Sequence, residues 1–116
     1  MGFTIHGEGN NIAFRAAAVE HFLESLGESA DEVAAKLRSF GVHGLPGFSQ
    51  SCPISEAIRQ QVPEAAGCQL FVDAASVDLV IGDSMAYIDM PEAPAAFVEL
   101  FDEEELYTDL QYAMEL

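Results

Sequence analysis

The chain has 116 residues, half of them hydrophobic, and its 20 acidic and 4 basic residues give a formal net charge of −16 at pH 7. This length fits one domain, residues 1–116, with an ordinary core. Four basic residues are too few to bind nucleic acid or an anionic membrane directly. No apolar run approaches the roughly 18 residues that span a bilayer. The first residues lack the pattern of a secretion signal, so we expect a cytoplasmic protein with reduced thiols.

In the N-terminal region apolar and polar residues first alternate, and apolar residues then recur at helical spacing. Phe3–His6 alternates between apolar and polar residues, which fits either a short strand or a loose terminus. Asn10 or Asn11 is then expected to cap a helix, because a short polar side chain can accept from a free N–H of the first turn. The predicted buried stripe of this first helix is Ile12, Ala16, Val19, Leu23 and Leu26.

A second helix follows after a short connection. Ser29 with Glu32 three residues later forms a capping box, and Gly41 marks the end of the helix. Because only residues 27–29 join the two helices, we expect an antiparallel helical hairpin. The apolar stripe of the second helix is Val33, Leu37 and Phe40.

The middle of the chain combines a loop, a short helix and strands. Residues 41–51 are rich in Gly, Pro and Ser and predict a loop, and a third helix is expected from Pro53 to Val62. Three short runs rich in Val, Ile, Leu, Phe and Tyr then alternate with turn residues, which predicts a three-stranded antiparallel meander. Val77, Leu79 and Ile81 should face the helices and Asp78 should face water. The predicted strands are Gln69–Asp73, Val77–Ile81 and Met85–Asp89.

Two helices are predicted at the C-terminus. Pro91 and Pro94 mark the start of the first, whose apolar content includes Phe97 and Phe101. Asp102 is expected to cap the second, with three glutamates in its first turn, where negative charge is favourable. The apolar stripe of that last helix is Leu106, Leu110 and Met114. The order of elements predicts an α+β fold with its C-terminal helices packed on one face of the sheet.

Two segments carry a family resemblance. Ser51–Ile58 (SCPISEAI) and Pro94–Asp102 (PAAFVELFD), on either side of the predicted sheet, resemble small proteins of actinobacteria and their phages. The resemblance implies an actinobacterial or phage source, and it implies no activity and no site residues.

Cys52 is the one candidate for catalysis. It precedes Pro53 at the predicted start of the third helix, where a helix N-terminus can lower a thiol pKa and favour the reactive thiolate. No histidine is spaced to serve as its base, so a packed, inert thiol is the simpler interpretation. A Cys52–Cys68 disulfide is disfavoured in a reducing cytoplasm. The spacing of His6, His21, His43 and the cysteines matches no zinc motif, so we predict no metal and no cofactor.

The charge distribution is the most distinctive feature of the sequence. Residues 1–59 hold seven acids and all four bases, whereas residues 60–116 hold thirteen acids and no base. Such a surface would accelerate encounter with a positively charged partner, and a protein that mimics nucleic-acid phosphates would look similar. The alternative interpretation is an acid-rich or halophilic proteome. The predicted partner-binding residues are Glu99, Asp102, Glu103, Glu104, Glu105 and Asp109.

These observations favour a non-catalytic, acidic interaction protein that binds a basic protein surface, with a phage or mobile-element inhibitor of a nucleic-acid-binding protein as the sharpest version. A thiol-dependent enzyme or redox protein using Cys52 is the rival class. Crowding of Phe40, Phe48, Phe97 and Phe101 in a small core further predicts a homodimer.

Overall fold

A computed structural model describes residues 2–7, 9–104 and 106–111. It confirms the α+β class, with helices and an antiparallel sheet in the described part of the chain. Short 3₁₀ turns lie at Pro63–Ala65 and Thr108–Leu110. In chain order the elements are β1 (Phe3–His6), α1 (Ile12–Glu24), α2 (Ala30–Phe40), α3 (Pro53–Gln61), β2 (Gln69–Val72), β3 (Ser76–Ile81), β4 (Ser84–Asp89) and α4 (Glu92–Glu103).

The sheet has four strands in the order β1-β4-β3-β2, where the sequence predicted a meander of three. The meander of β2, β3 and β4 is confirmed, and β1 adds an antiparallel strand with Phe3 opposite Ile88 and His6 opposite Met85. The local alternation of apolar and polar residues in β1 fits either a short strand or a loose terminus. Its pairing partner lies about 80 residues away, so the pairing is invisible to a local pattern.

Helices cover one face of the sheet. Strand residues alternate between buried and half-exposed, as expected when one face packs on helices and the other does not. Helix α1 packs on β1 and β4, and α3 packs on β2. Val77 and Leu79 are buried as predicted, Ile81 is half-buried, and Asp78 lies on the opposite face. The buried strand residues include Leu70, Val72, Val77, Leu79, Ala86 and Ile88.

The start of α1 departs from the predicted cap. Asn11 precedes the helix in a left-handed conformation with φ of 53°, and its side chain makes no capping hydrogen bond. The Asn10 amide instead donates to the Ile81 carbonyl at 3.2 Å and to Ser84 Oγ at 3.4 Å. The helix start is therefore held to the β3–β4 turn by long-range bonds. The apolar stripe predicted for the first helix is confirmed, because all five of its residues are buried.

The capping of α2 follows the sequence closely. Ser29 Oγ accepts from the backbone N–H of Glu32 at 3.2 Å, and Glu32 Oε1 accepts from the N–H of Glu28 at 3.2 Å. Gly41 ends the helix in the left-handed conformation, with φ of 72°. Helix α2 packs against α3 and α4, which places it beside the C-terminal part of the chain.

The C-terminal region is one helix followed by a turn, so the prediction of a second helix capped by Asp102 is wrong within the described residues. Phe97 and Phe101 are fully buried one turn apart on α4. Their packing stabilises the helix beyond Asp102, as far as Glu103. The Leu106 N–H then donates to the Leu100 carbonyl at 3.1 Å, which turns the chain back against the last turn of α4. Met114 lies outside the described residues.

Three of the four phenylalanines expected to crowd the core are accommodated in it or beside it. Phe97 and Phe101 fit inside the core, and Phe40 is half-buried against Phe22 with ring centroids 6.0 Å apart. Of the four phenylalanines only Phe48 is largely exposed, at 62%. The homodimer stays a prediction.

Candidate functional site

Acidic side chains gather where α4 meets the turn between β2 and β3. They line a groove of about 340 Å³ whose apolar part comes from Val98 and two alanines of the turn. We call this feature the acidic groove. Its lining residues are Asp73, Ala74, Ala75, Val98, Glu99, Asp102 and Glu103.

Local structure explains why these carboxylates face the same space. Glu99, Asp102 and Glu103 are spaced three and four residues apart on α4, so they share one side of the helix. Asp73 directly follows β2, and its Oδ1 accepts from the N–H groups of Ala75 at 2.8 Å and Ser76 at 2.9 Å. These two bonds stabilise the turn and hold the carboxylate at the groove.

The pKa of the Asp102 carboxyl in the groove is raised. Partial burial raises its pKa, an N–H bond from Gly47 at 3.0 Å opposes this, and repulsion from Glu103 and Asp73 raises the pKa further. A positive charge entering the groove would relieve this repulsion and favour the ionised form of Asp102.

The chain's own basic residues are placed elsewhere. Arg15 donates to the backbone carbonyls of residues 10, 64 and 66, Arg38 pairs with Asp109, and Arg59 pairs with Glu56. The fourth, Lys36, is exposed on α2. Among the described residues, no ion pair therefore neutralises a carboxylate of the acidic groove.

Three of the six residues predicted to bind a partner lie in the acidic groove. Glu99, Asp102 and Glu103 line the groove, whereas Glu104 is exposed at the end of α4 and does not line it. Asp109 lies on the short turn after α4 and accepts from Arg38 Nε at 2.5 Å and Nη2 at 3.1 Å. Glu105 lies outside the described residues.

Sequence reasoning missed Asp73. The sequence pattern places it at the end of a predicted strand, and nothing in that local pattern shows that its turn meets α4 across about 25 residues of chain. The only local signal is an Asp followed by two small residues and a serine, a pattern typical of a turn in which the carboxylate accepts from the backbone.

Asp109 belongs to a separate intramolecular network. Tyr107 Oη donates to Asp31 Oδ1 at 2.7 Å, and the ring of Tyr107 stacks on Phe97 with centroids 5.2 Å apart. Burial and the bond to Asp31 raise the pKa of Tyr107 to about 12. The Arg38 guanidinium lies 5.9 Å from the same ring. These contacts attach residues 106–111 to α2, which gives the charge of Asp109 a structural role.

Cys52 is placed unfavourably for thiol chemistry. Its side chain is buried, and desolvation raises the pKa of the thiol to about 12, outweighing the backbone hydrogen bonds at the start of α3. The thiol is therefore protonated and shielded at neutral pH, the reverse of a reactive thiolate. Cys68 is half-buried with its Sγ 3.9 Å from Arg15 Nη1, and both cysteines carry free thiols.

The remaining soft ligands are dispersed. His6 lies on β1 with its ring edge-on to Tyr87 at 5.4 Å, and His21 is exposed near the end of α1. Within residues 2–7, 9–104 and 106–111, no group of three His, Cys, Asp or Glu side chains is placed to hold a metal ion. In the same residues no helix has the length and apolar character needed to cross a membrane.

No protein-family model, no curated protein and no solved structure matches this chain.

Proposed function

We propose that this chain is a non-catalytic interaction protein that binds a basic protein surface through the acidic groove. The observation that supports the proposal most strongly is the convergence of four carboxylates on one groove to which no basic residue of the described chain is paired. A cationic partner would supply positive charges that the described chain does not place at this groove.

The chemistry of the groove suits arginine or lysine side chains. Such a side chain has a long apolar stem and a charged head, and the groove has an apolar part at Val98 and Ala74 between acidic walls. A guanidinium can form paired hydrogen bonds with a carboxylate, which are stronger than bonds between neutral groups. The remaining negative charge of the chain would accelerate encounter with a positive surface.

The finer proposal concerns the class of partner. A basic surface that otherwise binds nucleic acid fits the charge of this chain, and the chain would then act as an inhibitor of the kind a phage or mobile element encodes. This version predicts that duplex DNA and the chain compete for one surface of the partner.

Two variants of equal charge test the proposal. The groove variant neutralises the four groove carboxylates, and the control variant neutralises four acids outside the groove. Asparagine retains the acceptor that Asp73 and Asp102 present to backbone N–H groups. The groove variant is Asp73→Asn, Glu99→Gln, Asp102→Asn and Glu103→Gln, and the control variant is Glu24→Gln, Glu28→Gln, Glu64→Gln and Asp83→Asn.

The probe is a synthetic oligoarginine peptide, titrated by calorimetry at low salt. We expect the groove variant to bind at least about tenfold more weakly than the wild type, and the control variant to lose less than about threefold. Equal losses in the two variants would show that only net charge matters and would contradict the proposal.

A further inference from the structure

The face of the sheet that no described helix covers carries an apolar patch. Phe71, Val80, Met85 and Tyr87 lie on three neighbouring strands and are each only half-buried. Val80 stands directly opposite Met85 in the register, and the Tyr87 hydroxyl approaches Met85 Sδ at 3.9 Å. We call this patch, together with Asp78, the open face.

A carboxylate lies in the middle of the patch. Asp78 of β3 is directly opposite Tyr87 on one neighbouring strand and Phe71 on the other. Side chains at directly opposite positions begin about 5 Å apart, so the two rings flank the carboxylate. Ser76 Oγ donates to Asp78 Oδ1 at 2.8 Å, and within the described residues no arginine or lysine pairs with Asp78.

An aromatic–carboxylate–aromatic row has a defined preference for cations. The carboxylate accepts charge-assisted hydrogen bonds, and the faces of flanking rings attract a guanidinium or ammonium group. Arginine suits such a position best, because its planar group stacks on a ring while it donates to an oxygen. The apolar side chains of the open face would meet apolar neighbours of that arginine.

The size of the open face limits the shape of what can cover it. Three strands about 4.8 Å apart give the open face a width of roughly 10 Å, which matches about two turns of an α-helix. A second copy of this chain fits poorly. Isologous packing of two open faces would bring two Asp78 carboxylates together between chains that each carry a net charge of −16.

We propose that the open face binds a cationic amphipathic helix of the partner, with an arginine over Asp78 between Phe71 and Tyr87. This inference rests on the proposed function, because it assigns to the same basic partner a second point of contact. Asp73 lies between the two surfaces, since it directly follows the strand that bears Phe71 and also lines the acidic groove. The groove would supply electrostatic attraction, and the open face would add apolar contact and specificity.

The test uses the full chain and a designed helical peptide with arginines along one stripe and leucines on either side. Asp78→Asn removes the charge but keeps an acceptor for Ser76, and Val80→Lys places a positive charge in the patch. The matched controls are Asp83→Asn in the exposed β3–β4 turn and Ala17→Lys on the exposed side of α1, which change the net charge equally.

We expect Asp78→Asn and Val80→Lys each to weaken binding of the peptide about tenfold, and each control to change it less than about twofold. A second peptide with the leucines replaced by serine should bind the wild type about tenfold more weakly than the first. Circular dichroism of every variant should match the wild type, since none of the four positions is fully buried.

Three results would overturn the inference. If the open-face variants behave like their controls while the groove variant loses binding, the open face is not the docking surface and the proposed function stands. If neither set loses binding, both proposals fail. If sedimentation shows a dimer of the wild type that Val80→Lys dissociates, a second copy occupies the face.

Discussion

Asp102, in the last turn of α4, accepts a hydrogen bond from the backbone N–H of Gly47 at 3.0 Å. This bond connects the loop after α2 to the wall of the acidic groove, and it is one of the groups that lower the pKa of Asp102. Burial and the neighbouring carboxylates outweigh it, so the pKa of Asp102 is raised overall. The ionised carboxylate is therefore retained at some cost to folding stability.

Asp102→Asn should consequently be at least as stable as the wild type at pH 7. The folded chain holds the Asp102 proton more tightly than the unfolded chain, so its contribution to stability decreases as the pH rises from the unfolded pKa through the raised folded pKa. The asparagine variant lacks this decrease and still accepts from Gly47. Urea unfolding of both proteins between pH 3 and pH 7 measures the difference, and a variant less stable by more than about 1 kcal/mol at pH 7 would contradict it.

The effect of Asp109→Asn on the free energy of unfolding should have the opposite pH dependence. The hydrogen bond from Arg38 lowers the pKa of Asp109, so its stabilising contribution is present above the unfolded pKa and disappears as the pH falls through the lowered folded pKa. Both side chains are about half-exposed, so we expect a loss of only about 0.2–1 kcal/mol at pH 7. Urea unfolding at pH 7 and pH 2 tests this, and a loss that persists at pH 2 would contradict the ion-pair explanation.

Much of the fold follows from local patterns in the sequence. The stripe of α1, the Ser29 cap of α2, the proline start of α3 and the three-strand meander each depend on residues close in the chain, and each is confirmed. The failures involve distant partners. The pairing of β1 with β4 and the continuation of α4 through Asp102 are both decided by contacts that local spacing does not reveal.

The candidate site was predicted only in part for the same reason. The charge of the C-terminal half pointed to Glu99, Asp102 and Glu103, because acidic residues at helical spacing can be recognised directly. Asp109 has an ion-pair partner 71 residues away, and Asp73 reaches the groove through a turn that meets α4. Neither relationship follows from composition or periodicity.

Cys52 should resist alkylation in the folded protein. Burial raises the pKa of its thiol to about 12 and limits access, so iodoacetamide at pH 7.5 should leave it unmodified while denatured protein reacts fully. Mass spectrometry of the Cys68→Ser variant isolates the behaviour of Cys52. Modification of native Cys52 as fast as that of a free thiol would favour the thiol-enzyme alternative.

Sodium chloride should stabilise the fold. A net charge of −16 on a small domain is repulsive, and salt screens exposed charges over about 10 Å at 0.1 M. We expect the melting temperature to rise by several degrees between low salt and 0.15 M, as measured by circular dichroism. No rise would contradict net self-repulsion, and a rise that requires molar salt would favour the halophilic interpretation of the acidic composition.

The central claim is that the acidic groove, and not net charge alone, receives a cationic partner. It is tested most directly by titrating the ¹⁵N-labelled full-length protein with the oligoarginine peptide and following the backbone amide signals. We predict that the largest shifts occur at Asp73, Ala75, Glu99, Asp102 and Glu103, and that they diminish in the groove variant. Equal shifts around Glu24, at the end of α1, and Glu28, in the connection to α2, or shifts unchanged in the groove variant, would contradict the claim.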